Sequence, residues 1–391
     1  MSAGPGLAAA GEEWLTAGRP FALATLIAAD GSAPRPVGTS MLVAEGGIVR
    51  GSLSGGCVEA DVVGTALEVI AEGRPHRRRY GYSDHTAWEV GLMCGGSIEV
   101  LVQPVRDRAE AAGLAALLDE APAAVLWRTD APGRRAALAL PAADDPVAWR
   151  APLAALLAEE PGTGSGGASG ADGIPLRRLA ARVAEGVAAG RTGLLGGDEL
   201  CATGLPELFL SVHRPAPRLI VAGTTDHAAA LVEQGRLLGY DTTVCDPRAT
   251  FLTPERFPAA HRIEVQWPHR YLAAEHAAGR LDHRGVVCSL GHDPKIDDPL
   301  LALSLTLPLA YVGAMGSRRT HAERMRRLAE RGTTPADLDR LHSPIGLDLG
   351  GSTPAEFALS VMAEVVAVRG GRAAPQPLRS TTGPLHGRIP A

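Results

Sequence analysis

The sequence predicts an α/β chain, with a β-rich N-terminal domain followed by a doubly wound C-terminal domain on a parallel sheet. Three observations carry this. The first hundred residues hold short apolar runs between glycine turns. A glycine- and serine-rich stretch, Pro161–Gly173, interrupts the chain and reads as a flexible linker or long surface loop. From Arg218 onward, β-branched runs alternate with helical stretches, the pattern of a sheet covered on both faces. The expected organisation is an N-terminal domain over 1–160, a linker or loop over 161–175, a connecting segment over 176–215, a Rossmann-like domain over 216–370 and a frayed tail over 371–391.

Taken in order, FALATLIAA (Phe21–Ala29) is a strand, and the turn-rich DGSAPRPVG follows it. SMLVA and IVRGSL flank Glu45-Gly46-Gly47 as a hairpin. SGGCVEADVVGTALEVIAEG opens as a glycine turn and becomes an amphipathic helix stopping at Gly73. SIEVLVQPV (Ser97–Val105) is a strand with Ile98, Val100 and Val102 on one face, and Pro104 is expected to end its pairing. Residues 106 to 160 are alanine- and leucine-rich and carry no motif. Beyond Arg218 come the strands RLIVA, TTVC, GVVCSL and AYV, with helices reaching Leu238 and about Leu305. Thr353-Pro354-Ala355-Glu356 has the capping-box register, and Thr320 with Glu323 has the same spacing before HAERMRRLAER.

Composition bounds the function. The 391 residues are 46% hydrophobic and 21% charged, the balance of a soluble globular protein. A net charge of −5 argues against a nucleic-acid partner. No apolar run reaches the roughly 18 residues of a membrane span, and the N-terminus lacks the basic region of a signal peptide. Cys57, Cys94, Cys201, Cys245 and Cys288 form neither a disulfide framework nor a close pair for zinc, so a cytoplasmic setting is expected. There is no asparagine and one lysine, Lys295. Arginine replaces lysine less easily where a compact, titratable ammonium is needed, so the surviving lysine points weakly to chemistry.

The first α/β unit reads Val221-Ala222-Gly223-Thr224-Thr225-Asp226-His227-Ala228. A dinucleotide fingerprint needs a glycine for the tight turn, a second for the pyrophosphate and a small residue for helix packing. Gly223 and Ala228 fit, but Thr225 replaces the second glycine, and Asp226 adds negative charge at the helix start. Asp246 ends the next strand, where a ribose-binding acid belongs. His292-Asp293-Pro294-Lys295-Ile296-Asp297-Asp298 gathers an imidazole, three carboxylates and the lysine in one loop, and His292 with Lys295 is a candidate acid/base pair. Gly313-Ala314-Met315-Gly316-Ser317-Arg318-Arg319 offers glycines, a hydroxyl and two guanidiniums at a helix start, a candidate anion cradle. Gly223, Asp246, His292 and Gly313 are all expected to follow strands running the same way.

Two cysteines sit beside glycine pairs. Ser54-Gly55-Gly56-Cys57-Val58-Glu59 places Cys57 near a helix N-terminus, where amides and the helix dipole lower a thiol pKa. Leu92-Met93-Cys94-Gly95-Gly96-Ser97 places Cys94 beside glycines that permit close approach by a ligand or another backbone segment. The plain alternative for both is a buried, inert thiol, the reading that suits Cys201, Cys245 and Cys288. Arg35, held between two prolines, is a pre-set guanidinium for an anion, whereas Arg77-Arg78-Arg79 reads as a solvated strand edge.

These segments together resemble the XdhC/CoxI family of xanthine dehydrogenase accessory proteins. The matching stretches are GSAPRPVGTSMLV, GSLSGGCVEADVV, CGGSIEVLVQP, LIVAG, LLGYDTTVCDPR, GHDPKIDDPLL, AYVGAMGSRRTHAERM and LHSPIGLDLGGSTPAEFALSVMAEVVAVR. The resemblance implies an N-terminal XdhC domain followed by a Rossmann domain. It further implies a carrier that holds the molybdenum cofactor (molybdopterin or its dinucleotide form) while sulfur is installed, then delivers it to a molybdenum hydroxylase apoenzyme. A cysteine desulfurase is the implied sulfur source, and a homodimer is among the assemblies considered.

Carried onto this chain, the functional positions are Cys57 and Cys94 with Gly55, Gly56, Gly95 and Gly96, the loop of His292, Asp293 and Lys295, and Gly316, Ser317, Arg318 and Arg319. A low-pKa Cys57 thiol suits a soft metal or a sulfur relay, and the arginines suit the pterin phosphate. The family's Rossmann turn reads G-A-G-H-V-A; the departure at Thr225 and Asp226 leads us to expect weak or absent NAD(P) binding. The alternatives are an NAD(P)-dependent oxidoreductase on a small molecule and a non-catalytic assembly adaptor.

Overall fold

A computed structural model describes residues 5–31, 35–56, 58–81, 96–106, 123–129, 135–139, 142–158, 174–195, 206–372 and 375–381. The chain divides into two compact units, one running to Pro215 and one spanning Ala216–Ser380. Among the described residues no helix is long and apolar enough to cross a membrane.

The first unit begins with α1 (Pro5–Thr16), β1 (Phe21–Asp30), β2 (Ser40–Ala44), β3 (Ile48–Gly51), α2 (Glu59–Glu72), β4 (His76–Tyr80) and β5 (Ser97–Val105). Their strands form an antiparallel sheet in the order β3-β2-β1-β5-β4. β1 is buried on both faces because each face has a partner. Ala22, Ala24 and Leu26 pack with Val62, Ala66 and Val69 of α2. Phe21, Leu23 and Ile27 pack with Leu7, Ala10 and Trp14 of α1. The expected hairpin and the stop of α2 at Gly73, which is left-handed, are both present. Pro104 does not end the pairing, since it stands opposite Ala22 of β1. The β4 ladder reaches only Val102, so Pro104 lies beyond it, where a missing N–H costs nothing.

The motif-free stretch and the expected connecting segment fold together instead of linking domains. β6 (Ala123–Arg128), β7 (Arg135–Ala139), α3 (Arg150–Leu157), α4 (Ile174–Ala188), β8 (Gly193–Leu195) and β9 (Leu208–His213) supply a second sheet, ordered β7-β6-β9-β8. One of its faces meets the first sheet through Val125, Trp127 and Phe209. The other carries α3 and α4 through Trp149, Leu153, Leu179, Val183 and Val187.

The second unit holds β10 (Arg218–Ala222), α5 (Asp226–Leu237), β11 (Asp241–Cys245), β12 (Arg262–Glu264), α6 (Pro268–Ala277), β13 (Val286–Ser289), α7 (Pro294–Thr306), β14 (Tyr311–Ala314), α8 (Arg318–Glu330), α9 (Pro335–Leu338), β15 (Leu341–His342) and α10 (Pro354–Arg369). The sheet is parallel, in the order β12-β11-β10-β13-β14-β15. That is the Rossmann order, with its reversal between β10 and β13. Alternate β10 residues serve opposite layers. Leu219 and Val221 face α5 and α10, and Ile220 and Ala222 face α6, α7 and α8.

Helix starts decide where loops end. Thr353 and Glu356 form the expected capping box of α10. Thr320, expected to cap the helix before Gly332, is instead inside α8. Ser317 caps it three residues earlier, accepting the Thr320 amide at 3.1 Å. Gly313 likewise lies within β14 and does not follow it.

Candidate functional site

The parallel register sets the carboxyl ends of four strands in one row. Ala222 stands opposite both Cys245 and Ser289, and Ser289 opposite Ala314. The next residues, Gly223, Asp246, Leu290 and Met315, therefore rise from a common edge, where open α/β sheets bind ligands.

At the reversal point the first glycine of the turn is occupied by the protein itself. Gly223 has φ +117°, and a Cβ there would lie 3.1–3.3 Å from the backbone of Leu290 and Gly291. The Leu290 amide donates to Ala222 at 2.8 Å, so the ladder continues past β13 and closes the strand ends together. Gly223 thus makes the tight turn against a neighbouring peptide. Thr225 caps α5, its hydroxyl accepting the Ala228 amide at 3.3 Å. Asp226 is 85% exposed and lies 3.6 Å from Arg256, which also donates to the Thr224 carbonyl at 2.9 Å. The Asp226 charge is therefore partly offset.

Asp246 ends β11 as expected, but its carboxylate is taken. Arg248 donates to Oδ1 from Nε and to Oδ2 from Nη2, each at 2.8 Å, and its amide adds a third bond at 2.9 Å. Asp246 is buried and Arg248 half-exposed. The Arg248 guanidinium pKa is raised, first by Asp246 and then, through the field, by Asp293 and Asp297, so the β11 and β13 loops face one another.

The loop after β13 gathers fewer acids than its sequence suggests. Asp293 caps α7, accepting the Lys295 amide at 2.9 Å. His292 and Lys295 are exposed, and no hydrogen bond joins them among the described residues. Asp297 and Asp298 belong to the first turns of α7 and point inward. Asp298 pairs with Arg327 at 2.8 Å. Asp297 accepts from Ser289 at 2.7 Å, and burial pushes its carboxyl pKa up despite that bond.

Gly316, Ser317, Arg318 and Arg319 stand at the head of α8, with Ser317, Arg318 and Arg319 exposed and Arg319 3.4 Å from Glu323. Beneath them lies the fully buried Arg324, which donates to the Met315 carbonyl at 2.9 Å and the Ser343 hydroxyl at 3.0 Å. Burial lowers its pKa, and the field of Asp297 opposes that.

In the first unit Arg35 is exposed and Gly96 is buried just before β5. Cys57, Cys94 and Gly95, together with Cys201, lie outside the described residues. Gly55 and Gly56 are left-handed, with φ +88° and +122°, and their amides converge on Glu59. That carboxylate also accepts from the Leu53, Ser54 and Val58 amides and from the hydroxyls of Ser52 and Ser54. Burial works against the charge, yet bonds from Ser54 and Ser52 outweigh it and hold the Glu59 carboxyl far below the usual range. The amides expected to favour a thiolate at position 57 are thus directed to Glu59. Cys245 and Cys288 are buried as expected; burial pushes Cys245 up to about 12 and Cys288 higher still.

Sequence reading missed Arg248, Arg324 and the role of Glu59. The signals were the Asp-Pro-Arg spacing after β11 and an acid three residues beyond a glycine pair. Among the described residues no group of three or more His, Cys, Asp or Glu is arranged to hold a metal.

Comparison with known proteins gives the context. The model of the XdhC and CoxI family matches residues 14–81, and that of the XdhC Rossmann domain matches residues 219–365, together more than half of the chain. The molybdenum cofactor insertion chaperone PaoD of Escherichia coli is 27% identical over 360 residues, covering 91% of this chain and 86% of PaoD. The uncharacterised protein YqeB of the same organism is 32% identical over 166 residues, 42% of this chain, and the match spans only 30% of YqeB. A crystal structure described as a xanthine dehydrogenase from Bacillus halodurans matches with a TM-score of 0.63 at 26% identity, over 97% of this chain and 99% of that one.

Proposed function

The chain belongs to the XdhC and CoxI family, and on that premise we propose that it is a molybdenum cofactor carrier. It holds the cofactor while the terminal sulfur is installed, with a cysteine desulfurase as donor. It then delivers its cargo to a xanthine-dehydrogenase-type molybdenum hydroxylase in the cytoplasm. The observation that carries this reading is the similarity, over 91% of the chain, to a molybdenum cofactor insertion chaperone.

The site chemistry supports a carrier more than an oxidoreductase. Thr225 stands as the helix cap where a second glycine would admit a pyrophosphate, and Asp246 is held by Arg248, so the pyrophosphate and ribose positions of a nicotinamide dinucleotide are both altered. Exposed guanidiniums are left for a phosphate. Arg318 and Arg319 stand at the head of α8, where the positive end of the helix dipole adds to their charge. Cys57 supplies the soft thiol that a molybdenum centre or a sulfur in transit would accept.

The test is direct. Purified protein, loaded anaerobically from a cofactor donor and desalted, should retain pterin, read by conversion to a fluorescent product. The loaded protein plus a cysteine desulfurase and cysteine should then activate an apo-hydroxylase. Folded protein that retains no pterin sinks the proposal.

A further inference from the structure

The turn from Ser52 to Gly56 and the Val58 amide converge on one carboxylate. Glu59 Oε1 accepts from the Ser52 hydroxyl at 2.8 Å and from the amides of Leu53, Ser54 and Gly55 at 3.1, 2.8 and 2.9 Å. Oε2 accepts from the Ser54 hydroxyl at 2.6 Å and from the amides of Gly56 and Val58 at 2.9 and 3.2 Å. Convergent amides of this kind form an anion-binding concavity. A carboxylate offers about four lone-pair sites, so these donors saturate it. Here the bound anion is a side chain of α2 itself.

The glycines explain how the loop closes. Among the described residues a Cβ at Gly55 or Gly56 would meet nothing within 4 Å, so it is the left-handed φ that calls for glycine there. The turn aims its N–H groups inward at Glu59, and both glycines are exposed. The amides on either side of position 57, Gly56 and Val58, donate to the same oxygen. Without the carboxylate the Gly56 amide would lose its acceptor, and the Gly55 and Val58 amides would keep only their second bonds, to the Ser52 and Ser54 hydroxyls at 3.1 and 3.2 Å.

We propose that Glu59 is the positioning residue of the Ser52–Gly56 turn, a built-in anion that holds the glycine pair in its cargo-ready shape and keeps free phosphate out of the turn. The inference rests on the carrier reading above and deepens it. The turn then presents its exposed glycine pair to the cargo. Pre-shaping the loop removes an ordering cost from cargo binding.

The test uses the full chain as wild type, Glu59→Ala and Glu59→Gln. Glu59→Ala leaves a vacant concavity that formate can fill; Glu59→Gln fills it with a neutral amide whose own N–H groups oppose the loop's. Two readouts are taken, with sodium chloride as the ionic-strength control. The first is the melting temperature of unloaded protein, which formate should raise in Glu59→Ala and leave unchanged in wild type and Glu59→Gln. The second is retained pterin, expected to fall by about tenfold in both variants and to recover with formate only in Glu59→Ala.

Should Glu59→Ala not fold, Ser52→Ala removes one donor to Glu59 and one acceptor of the Gly55 amide and leaves the carboxylate in place; lower pterin retention at nearly unchanged melting temperature supports the proposal, and unchanged retention overturns it. Wild-type behaviour of Glu59→Gln in both readouts, or no formate response in Glu59→Ala, also overturns it. If wild type itself retains no pterin, the carrier reading fails, while the formate response still reports on the turn.

Discussion

Arg248 closes over Asp246 with a two-pronged ion pair, both prongs at 2.8 Å, and the carboxylate it covers is 1% exposed. The acid that would read a ribose is already in use. Repairing the glycine turn alone is therefore not expected to create a dinucleotide site. Thr225→Gly with Asp226→His should leave NADH binding on the order of hundreds of micromolar or weaker. Adding Arg248→Ala should tighten it by about tenfold, as Asp246 becomes free to accept from a hydroxyl. Titration calorimetry of the two variants decides; tight binding by the double variant would refute the view that Arg248 blocks the site.

Gly223→Ala tests the closed strand ends. The substitution imposes a left-handed strain and pushes a methyl group into the Leu290–Gly291 peptide. A loss of about 2–4 kcal/mol is expected, read by urea unfolding. A loss below about 0.5 kcal/mol, the range of a neutral surface change, would mean that the two loops separate freely.

Asp297 gives a pH signature. Burial raises its folded pKa above that of a free aspartate, about 3.9, so it contributes stability that is fully present below the unfolded value and lost as pH rises through the folded pKa. Asp297→Asn keeps an acceptor for Ser289 and carries no charge to bury. The variant should gain on wild type as pH rises from 4 towards 7, in parallel denaturation series. A constant difference across that range would show that Asp297 titrates as it does in the unfolded chain.

Cysteine reactivity separates the two units. Cys245 and Cys288 are buried with raised thiol pKa values and should resist iodoacetamide at pH 8 until the protein is unfolded. Peptide mass spectrometry before and after denaturant reads this directly. Rapid labelling of either thiol in the native protein would contradict its burial.

Local signals in the sequence were legible where one stretch decides the outcome. The Thr353 capping box needs only near neighbours, and its bonds form as the spacing implies, while β10 is recognisable as a buried apolar run of its own. The second sheet was not legible, because β6 pairs with β9 across some eighty residues, and a run as short as AAVLW has no period of its own. The start of α8 was misplaced because two hydroxyls, Ser317 and Thr320, both suit a cap, and it is Ser317 that accepts the Thr320 amide. The site was legible as a set of loops and illegible as a set of free groups. No spacing rule shows that Arg248 folds back on Asp246, or that Glu59 gathers the amides beside Gly55 and Gly56.

The parallel sheet tapers, from five residues in β10 and β11 to three in β12 and two in β15. Its rims therefore present very few unpaired backbone groups. A neighbouring chain looking for a strand to extend finds almost no template there, and edge-to-edge aggregation is disfavoured. A dimer of this unit, if it forms, would be built from helices or loops, and the sheet would stop at each protomer's border.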